Sequence, residues 1–159
     1  MGNIITFDQD EKRFNYRIAG VALHENRVLL NREDEYRFWF MPGGRAELLE
    51  PAQETLQREF REELNVEIQI GRLLWFVESF FERFHEAYHQ LSLYFLIDLP
   101  PDWPLLTVDG AFRGVEEEAN LLFQWYHLHE LATLHMYPTF LKQALQALPE
   151  NTEHILDYR

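Results

Sequence analysis

The chain has 159 residues, enough for one compact domain and too few for two well-filled cores. Its 14 Lys and Arg against 27 Asp and Glu give a formal charge of −13, which removes any general attraction to nucleic-acid backbone or an anionic membrane. An apolar fraction of 47% with 15% aromatic residues excludes global disorder, and the absence of cysteine excludes disulfides, thiolate zinc sites and cysteine nucleophiles.

Met1 to Asp10 carry neither the basic stretch nor the apolar segment of an export signal, and no apolar run approaches the ~20 residues that span a bilayer. A cytoplasmic protein is the expectation, with its first 12 residues polar and loosely held. From Phe14 the pattern turns strand-like, through Tyr16, Ile18, Val21 and Leu23 and then Val28 to Leu30. Glu25-Asn26 separates the two runs, and Asn tolerates the positive φ of a hairpin turn, so residues 17–32 read as a β-hairpin. Trp39-Phe40-Met41 is stopped by Pro42-Gly43-Gly44, a turn whose bare backbone can approach a ligand closely.

Between Pro51 and Leu64 the period becomes helical, with Ala52, Thr55, Leu56, Phe60 and Leu64 on one stripe and charges opposite. Pro51 suits a first turn, and Asn65 suits the left-handed position that ends a helix. Residues 68–81 and 91–97 read as strands joined by a charged turn over 82–86; Pro100, Pro101 and Pro104 mark a loop; residues 124–126 read as a short strand. Helices are expected over 128–134 and 138–148. The whole is an α/β (α+β) domain, layered α/β/α.

Glu59, Glu62 and Glu63 stand at i, i+3 and i+4, so all three are expected on one side of the helix, where like charges repel. Grouped oxygen ligands of this kind suit Mg²⁺ or Mn²⁺, which also neutralise phosphate. A solvated acidic face partnered by Arg58 and Arg61 is the plainer alternative. Two histidines, His85 and His89, are four apart but lie at a turn and strand start with no clear third ligand for zinc. Arg37 and Arg45 flank the Pro-Gly-Gly turn, placed to contact phosphate or ribose. Phe80 and Phe84, near strand ends, are the better candidates for stacking on a base, although such residues are more often core.

Gly44, Glu50, Arg58, Glu59, Glu62 and Glu63 fall in register with the pattern G-x5-E-x7-R-E-U-x-E-E-x-G-U, U being a bulky apolar residue. This is the Nudix box, over residues 44–66, and the chain resembles a MutT-like Nudix hydrolase. One position departs: Asn65 replaces the last Gly. The likeness extends less specifically over 16–148, through Met41 to Gly44, His89 to Phe95, Glu116 to Glu118 and Trp125 to Leu131. It implies an α/β/α sandwich around a mixed sheet, with a loop-helix-loop catalytic unit.

The implied activity is Mg²⁺-dependent hydrolysis of a pyrophosphate bond in a nucleoside diphosphate linked to another moiety, with Mn²⁺ as a substitute. By the same resemblance Glu59, Glu62, Glu63 and the Gly43 carbonyl hold metal, and Arg58 orients a box carboxylate. Glu50 supports the loop or a metal-bound water. The general base is Glu59 or another carboxylate, with Glu116, Glu117 and Glu118 as the later candidates, whose plainer reading is an acidic surface loop. Phe81, fifteen positions beyond Val66, is not the Pro of many ADP-ribose hydrolases, and Glu82 to Phe84 lack the Tyr of dinucleoside polyphosphate hydrolases. Nucleoside triphosphates, damaged ones included, and nucleotide sugars stay open. A catalytically silent nucleotide sensor of the same fold is the competing reading, and homodimers are common in the fold.

Overall fold

A computed structural model describes residues 2–159. Strand β2 (Lys12–His24) is its spine: Ile18 to Ala22 are buried without a break, as expected of a strand covered on both faces. Period-2 alternation then divides the core. Ile18 and Ala22, with Leu29 of β3 (Arg27–Glu33), face one side; Ala19, Val21, Val28 and Leu30 face the other. The β2–β3 turn is Glu25-Asn26, both left-handed at φ 50° and 61°, as the hairpin reading requires.

This hairpin splays almost at once. Only Leu23↔Val28 and His24↔Arg27 pair β2 with β3. Further along, the segment from Phe40 to Arg45 wedges between them: Phe40 bridges to Asn31 of β3, while β4 (Gly43–Arg45) pairs with Arg17 to Ala19 of β2. On its other side β2 runs parallel to β6 (Glu86–Asp98) in unbroken register from Lys12↔Ala87 to Ala22↔Ile97. Beyond β6 lie β5 (Gln69–Arg83), antiparallel, and β9 (Glu153–Tyr158), parallel to β5. Beyond β3 come β8 (Leu121–His127) and the two-residue β7 (Phe112–Arg113).

Helix α1 (Ala52–Leu64) lays Leu56, Phe60 and Leu64 on the Ile18 face, with Phe95, Ile97, Phe123 and Trp125. It ends where expected. Asn65 takes φ 50°, ψ 44° and its N–H bonds the Arg61 carbonyl. The opposite face is covered more thinly than the periodicity predicts: Leu128–Thr133 is a 3₁₀ helix and 138–148 contains only the four-residue α2 (Leu141–Ala144). Leu131, Leu141 and Leu145 still bury completely, so tightened turns satisfy the apolar pattern without a long helix. Four strands escape the sequence reading: the short β4, read as a turn, the two-residue β7, and two longer ones. Thr6–Gln9 (β1), expected to be loosely held, pairs with Lys12 to Asn15, and β9 hides its pattern by turning Asp157 inward beside Ile155. Among the described residues no helix is long and apolar enough to cross a membrane.

Asn65 stands where the resemblance expects glycine, so Asn65→Ala is expected to lower stability by about 1 kcal/mol, with Asn65→Gly near neutral. Urea denaturation of both variants checks this; equal loss in both would mean that the side chain rather than the backbone angle matters.

Candidate active site

Gly44 lies directly under the acidic face of helix α1. A Cβ built there would fall inside the Glu59 carboxylate, and one on Gly43 (φ 156°) would strike the Ile18 carbonyl of β2. Lacking side chains, the two glycines let β4 pack between β2 and the helix and set the acidic face against the sheet. The loop from β4 into α1 is then closed by Arg58. Its Nε and Nη2 donate to the two oxygens of Glu50 at 2.8 and 3.1 Å. Nη1 reaches Glu59 at 2.9 Å and Glu62 at 3.4 Å, and Nη2 also donates to the Arg45 carbonyl at 3.2 Å.

Glu50 is accordingly a structural anchor. It accepts further bonds from the Thr55 hydroxyl at 2.6 Å and the Glu47 N–H at 3.1 Å. The Arg58 fork, aided by these donors, holds its carboxyl down to about 2. Such a carboxylate is a poor proton acceptor, and both of its oxygens are occupied.

The three predicted ligands separate. At 100° per residue Glu59 and Glu63 lie ~40° apart around the helix, whereas Glu62 is offset ~60° the other way. Glu63 is 8% exposed and lines the central cleft, while Glu62 is half exposed and turned onto Arg58. Burial, and then the Glu59 charge, push Glu63 well above the usual carboxylate range, and burial raises Glu59 against the pull of Arg58. The Glu59 and Glu63 carboxyl groups lie within hydrogen-bonding reach of each other. Among the described residues no three His, Asp or Glu side chains already form a metal cluster. The donor set nevertheless fits a hard divalent cation: two neighbouring carboxyl groups repel when both are ionised, and a cation between them would relieve that repulsion.

The cleft holds about 1570 Å³ and opens where β2 and β3 part. Six cations line it, Lys12, Arg13, Arg17, Arg45, Arg83 and Arg159, against three carboxylates, Glu33, Glu63 and Glu82. Arg17, whose charge acts on Glu63, donates to the Met41 carbonyl at 2.8 Å. Sequence reasoning missed Arg17, and a lone cation inside an apolar strand was the available signal. It also missed Tyr36, Phe38 and Phe40, whose period-2 spacing puts all three on the cleft side. That same alternation leaves Arg37 exposed and off the cleft, whereas Arg45, Phe80 and Phe84 do line it. Asn31 also lines it, 2% exposed and with its carbonyl oxygen unpartnered. Glu117 sits exposed in a 3₁₀ turn (Glu117–Ala119) and does not line the cleft, although Ala119 of the same turn does; it is Glu116 whose charge reaches Glu63, on a loop tied to α1 by the Val115 N–H to Glu63 carbonyl bond at 2.7 Å.

The sequence model of the NUDIX domain matches residues 15–148. No curated protein matches the chain in sequence. Among solved structures the fold is similar to that of a NUDIX hydrolase from Nitrosomonas europaea, at 16% identity and TM-score 0.63, covering 99% of this chain and 96% of that one. It is similar to the MutT protein from Bacillus halodurans at 16% and 0.58, covering 88% and 89%. An ADP-ribose pyrophosphatase from Streptococcus suis aligns at 14% and 0.57, covering 90% and 98%. At these identities the likeness is one of fold.

Glu50 titrates below its ordinary 4.5 in the folded chain, so the stability it lends is complete above that value and is lost as the pH falls toward about 2. Glu50→Gln is expected to cost about 1–3 kcal/mol at pH 7, with the gap to the native chain closing through that acid window in denaturant titrations. Gly44→Ala is expected to fold but to displace Glu59, lowering any cation-dependent thermal shift; an unchanged shift would show that the close approach is not needed.

Proposed function

The chain belongs to the Nudix hydrolase family, and we propose that it hydrolyses a pyrophosphate bond in a nucleoside diphosphate linked to another moiety, using Mg²⁺ or Mn²⁺. The observation that carries this reading is the coupled Glu59–Glu63 pair, with buried Glu63 lining a cation-rich cleft in a chain of net charge −13. An excess of positive charge confined to one cleft selects a polyanion, and the paired carboxylates beside it would repel that polyanion unless a divalent ion stood between them.

Glu59, Glu63 and the Gly43 carbonyl would hold the ion, with Glu62 one turn away. When bound, the ion supplies charge neutralisation of the bridging phosphates and lowers the pKa of a coordinated water. The remaining work falls to this chain. Arg58 positions Glu59 through its 2.9 Å bond and is itself fixed by Glu50. Lys12, Arg17 and Arg45 meet phosphate charge directly, while Tyr36, Phe38 and Phe40 offer ring faces to a base. Proton removal from water falls to Glu59 or Glu62, or to Glu116 on the loop beside Glu63. The MutT and ADP-ribose pyrophosphatase folds to which the chain is similar support a nucleotide derivative as substrate; triphosphates and nucleotide sugars are the candidates.

Incubation with a panel of nucleoside triphosphates, ADP-ribose, dinucleoside polyphosphates and nucleotide sugars, with Mg²⁺ or Mn²⁺ and with chelator, tests the reading. Metal-dependent release of a nucleoside monophosphate from a panel member is expected. Tight metal-dependent binding without turnover would shift the reading to a silent nucleotide sensor. Glu59→Gln and Glu63→Gln are each expected to lower turnover by at least about 10²-fold with little loss of folding. Near-normal Mg²⁺-dependent activity of Glu63→Gln would overturn the assignment. Mg²⁺ is also expected to raise the thermal midpoint of the native chain, and less so that of Glu63→Gln.

A further inference from the structure

The β5–β6 turn has a feature that neither the fold nor phosphate chemistry explains. Phe84 and His85 form it with both residues left-handed, at φ 51° and 67°. Asparagine and glycine adopt that backbone readily and an aromatic residue does not. Phe84 is 69% exposed, so burial does not offset the backbone cost. Strain of this kind persists where another requirement selects the residue.

The residue before it supplies that requirement. Arg83 places its guanidinium 4.1 Å from the centre of the Tyr36 ring, 5.1 Å from Phe84 and 5.6 Å from Phe38. Among the described residues it has aromatic faces for neighbours and neither a carboxylate nor a hydrogen-bond acceptor, although this protein is rich in both. A planar fork of donors is therefore held flat and open to the cleft. The aromatic row connects it to the acidic helix. Tyr36 and Phe38 stack at 5.3 Å, Phe38 and Phe40 lie 5.7 Å apart, and Phe40 is 5.8 Å from the Arg17 guanidinium beside Glu63.

Resting on the nucleotide-hydrolase reading above, we propose that Arg83 reads the base of the substrate and selects a 6-oxopurine. The base stacks on Phe84 and the aromatic row, and the guanidinium donates two parallel hydrogen bonds to O6 and N7. A guanidinium only donates, so adenine, which presents an amino group in place of O6, sets donor against donor. Asn31, whose buried carbonyl oxygen has no partner, carries both donor and acceptor on one amide and by turning over serves either purine. Glu33 and Glu82 only accept, and would read the 2-amino group of guanine instead. Inosine lacks that group but keeps O6 and N7, so it isolates the contact assigned to Arg83.

The test compares kcat/KM for guanosine, inosine and adenosine substrates, as triphosphates and as diphosphate-linked sugars, in the native chain, Arg83→Ala and Phe84→Asn. Guanosine and inosine forms are expected to exceed adenosine by about 10- to 100-fold, chiefly through KM. Arg83→Ala brings the ratio close to one. Phe84→Asn weakens binding of all three while the thermal midpoint holds or rises, because Asn suits the turn. Equal efficiency for the three bases, a preference that survives Arg83→Ala, or a preference for guanosine without inosine would each overturn the proposal. Absence of turnover in every form would overturn the hydrolase reading instead. Thermal shifts with guanosine, inosine and adenosine diphosphates would then decide the base reading, and equal shifts would overturn it.

Discussion

Everything at the candidate site depends on one close approach, the bare backbone of Gly43 and Gly44 passing between β2 and helix α1. Gly43 has no room for a side chain against the Ile18 carbonyl, and a side chain on Gly44 would push the Glu59 carboxylate out of place. Because β4 occupies the edge of β2 that β3 would otherwise fill, the hairpin must splay, and the cleft opens in the gap. The fold of the sheet and the position of the acidic helix are thus two consequences of the same missing methyl groups. Arg58 then locks the connection by gripping Glu50, Glu59 and the Arg45 carbonyl with one planar group.

This arrangement divides the acidic residues by task. Glu50, saturated with donors, is driven far toward its ionised form and stabilises the loop. Glu63, buried beside Glu59, is driven the opposite way. Two carboxylates thirteen residues apart in one motif therefore have opposite electrostatics, set by solvation and neighbours rather than by residue type. The same logic applies to the cations. A chain with a large negative charge gathers six of its basic side chains around one cleft, so the local field there opposes the global one.

Most of the sheet was legible from periodicity. The 17–32 hairpin, its Glu25-Asn26 turn, helix 52–64 and the Asn65 terminus all follow from local patterns that tertiary contacts reinforce. Where local and tertiary preferences part, the reading fails. Residues 138–148 carry a helical stripe, yet only one helical turn forms, with Phe140, Leu141, Ala144, Leu145 and Leu148 packed against that face of the sheet. Strand β9 was invisible because its inward positions include Asp157, whose charge is met by Arg159 at 2.8 Å. Likewise β1 is mostly exposed and exists only through its pairing with β2.

The sequence by itself determined the chemistry of the box: glycine, arginine and glutamates at helical spacing specify which groups share a helix face, since 3.6 residues per turn is a local property. Only the tertiary structure decided which of those glutamates is buried, which cations face them, and that Tyr36, Phe38 and Phe40 point toward the same cleft as Arg83. Those choices depend on strands far apart in the chain coming into register across the split sheet. Burial, and with it the electrostatic character of each carboxylate, is a property of that packing and of no single segment.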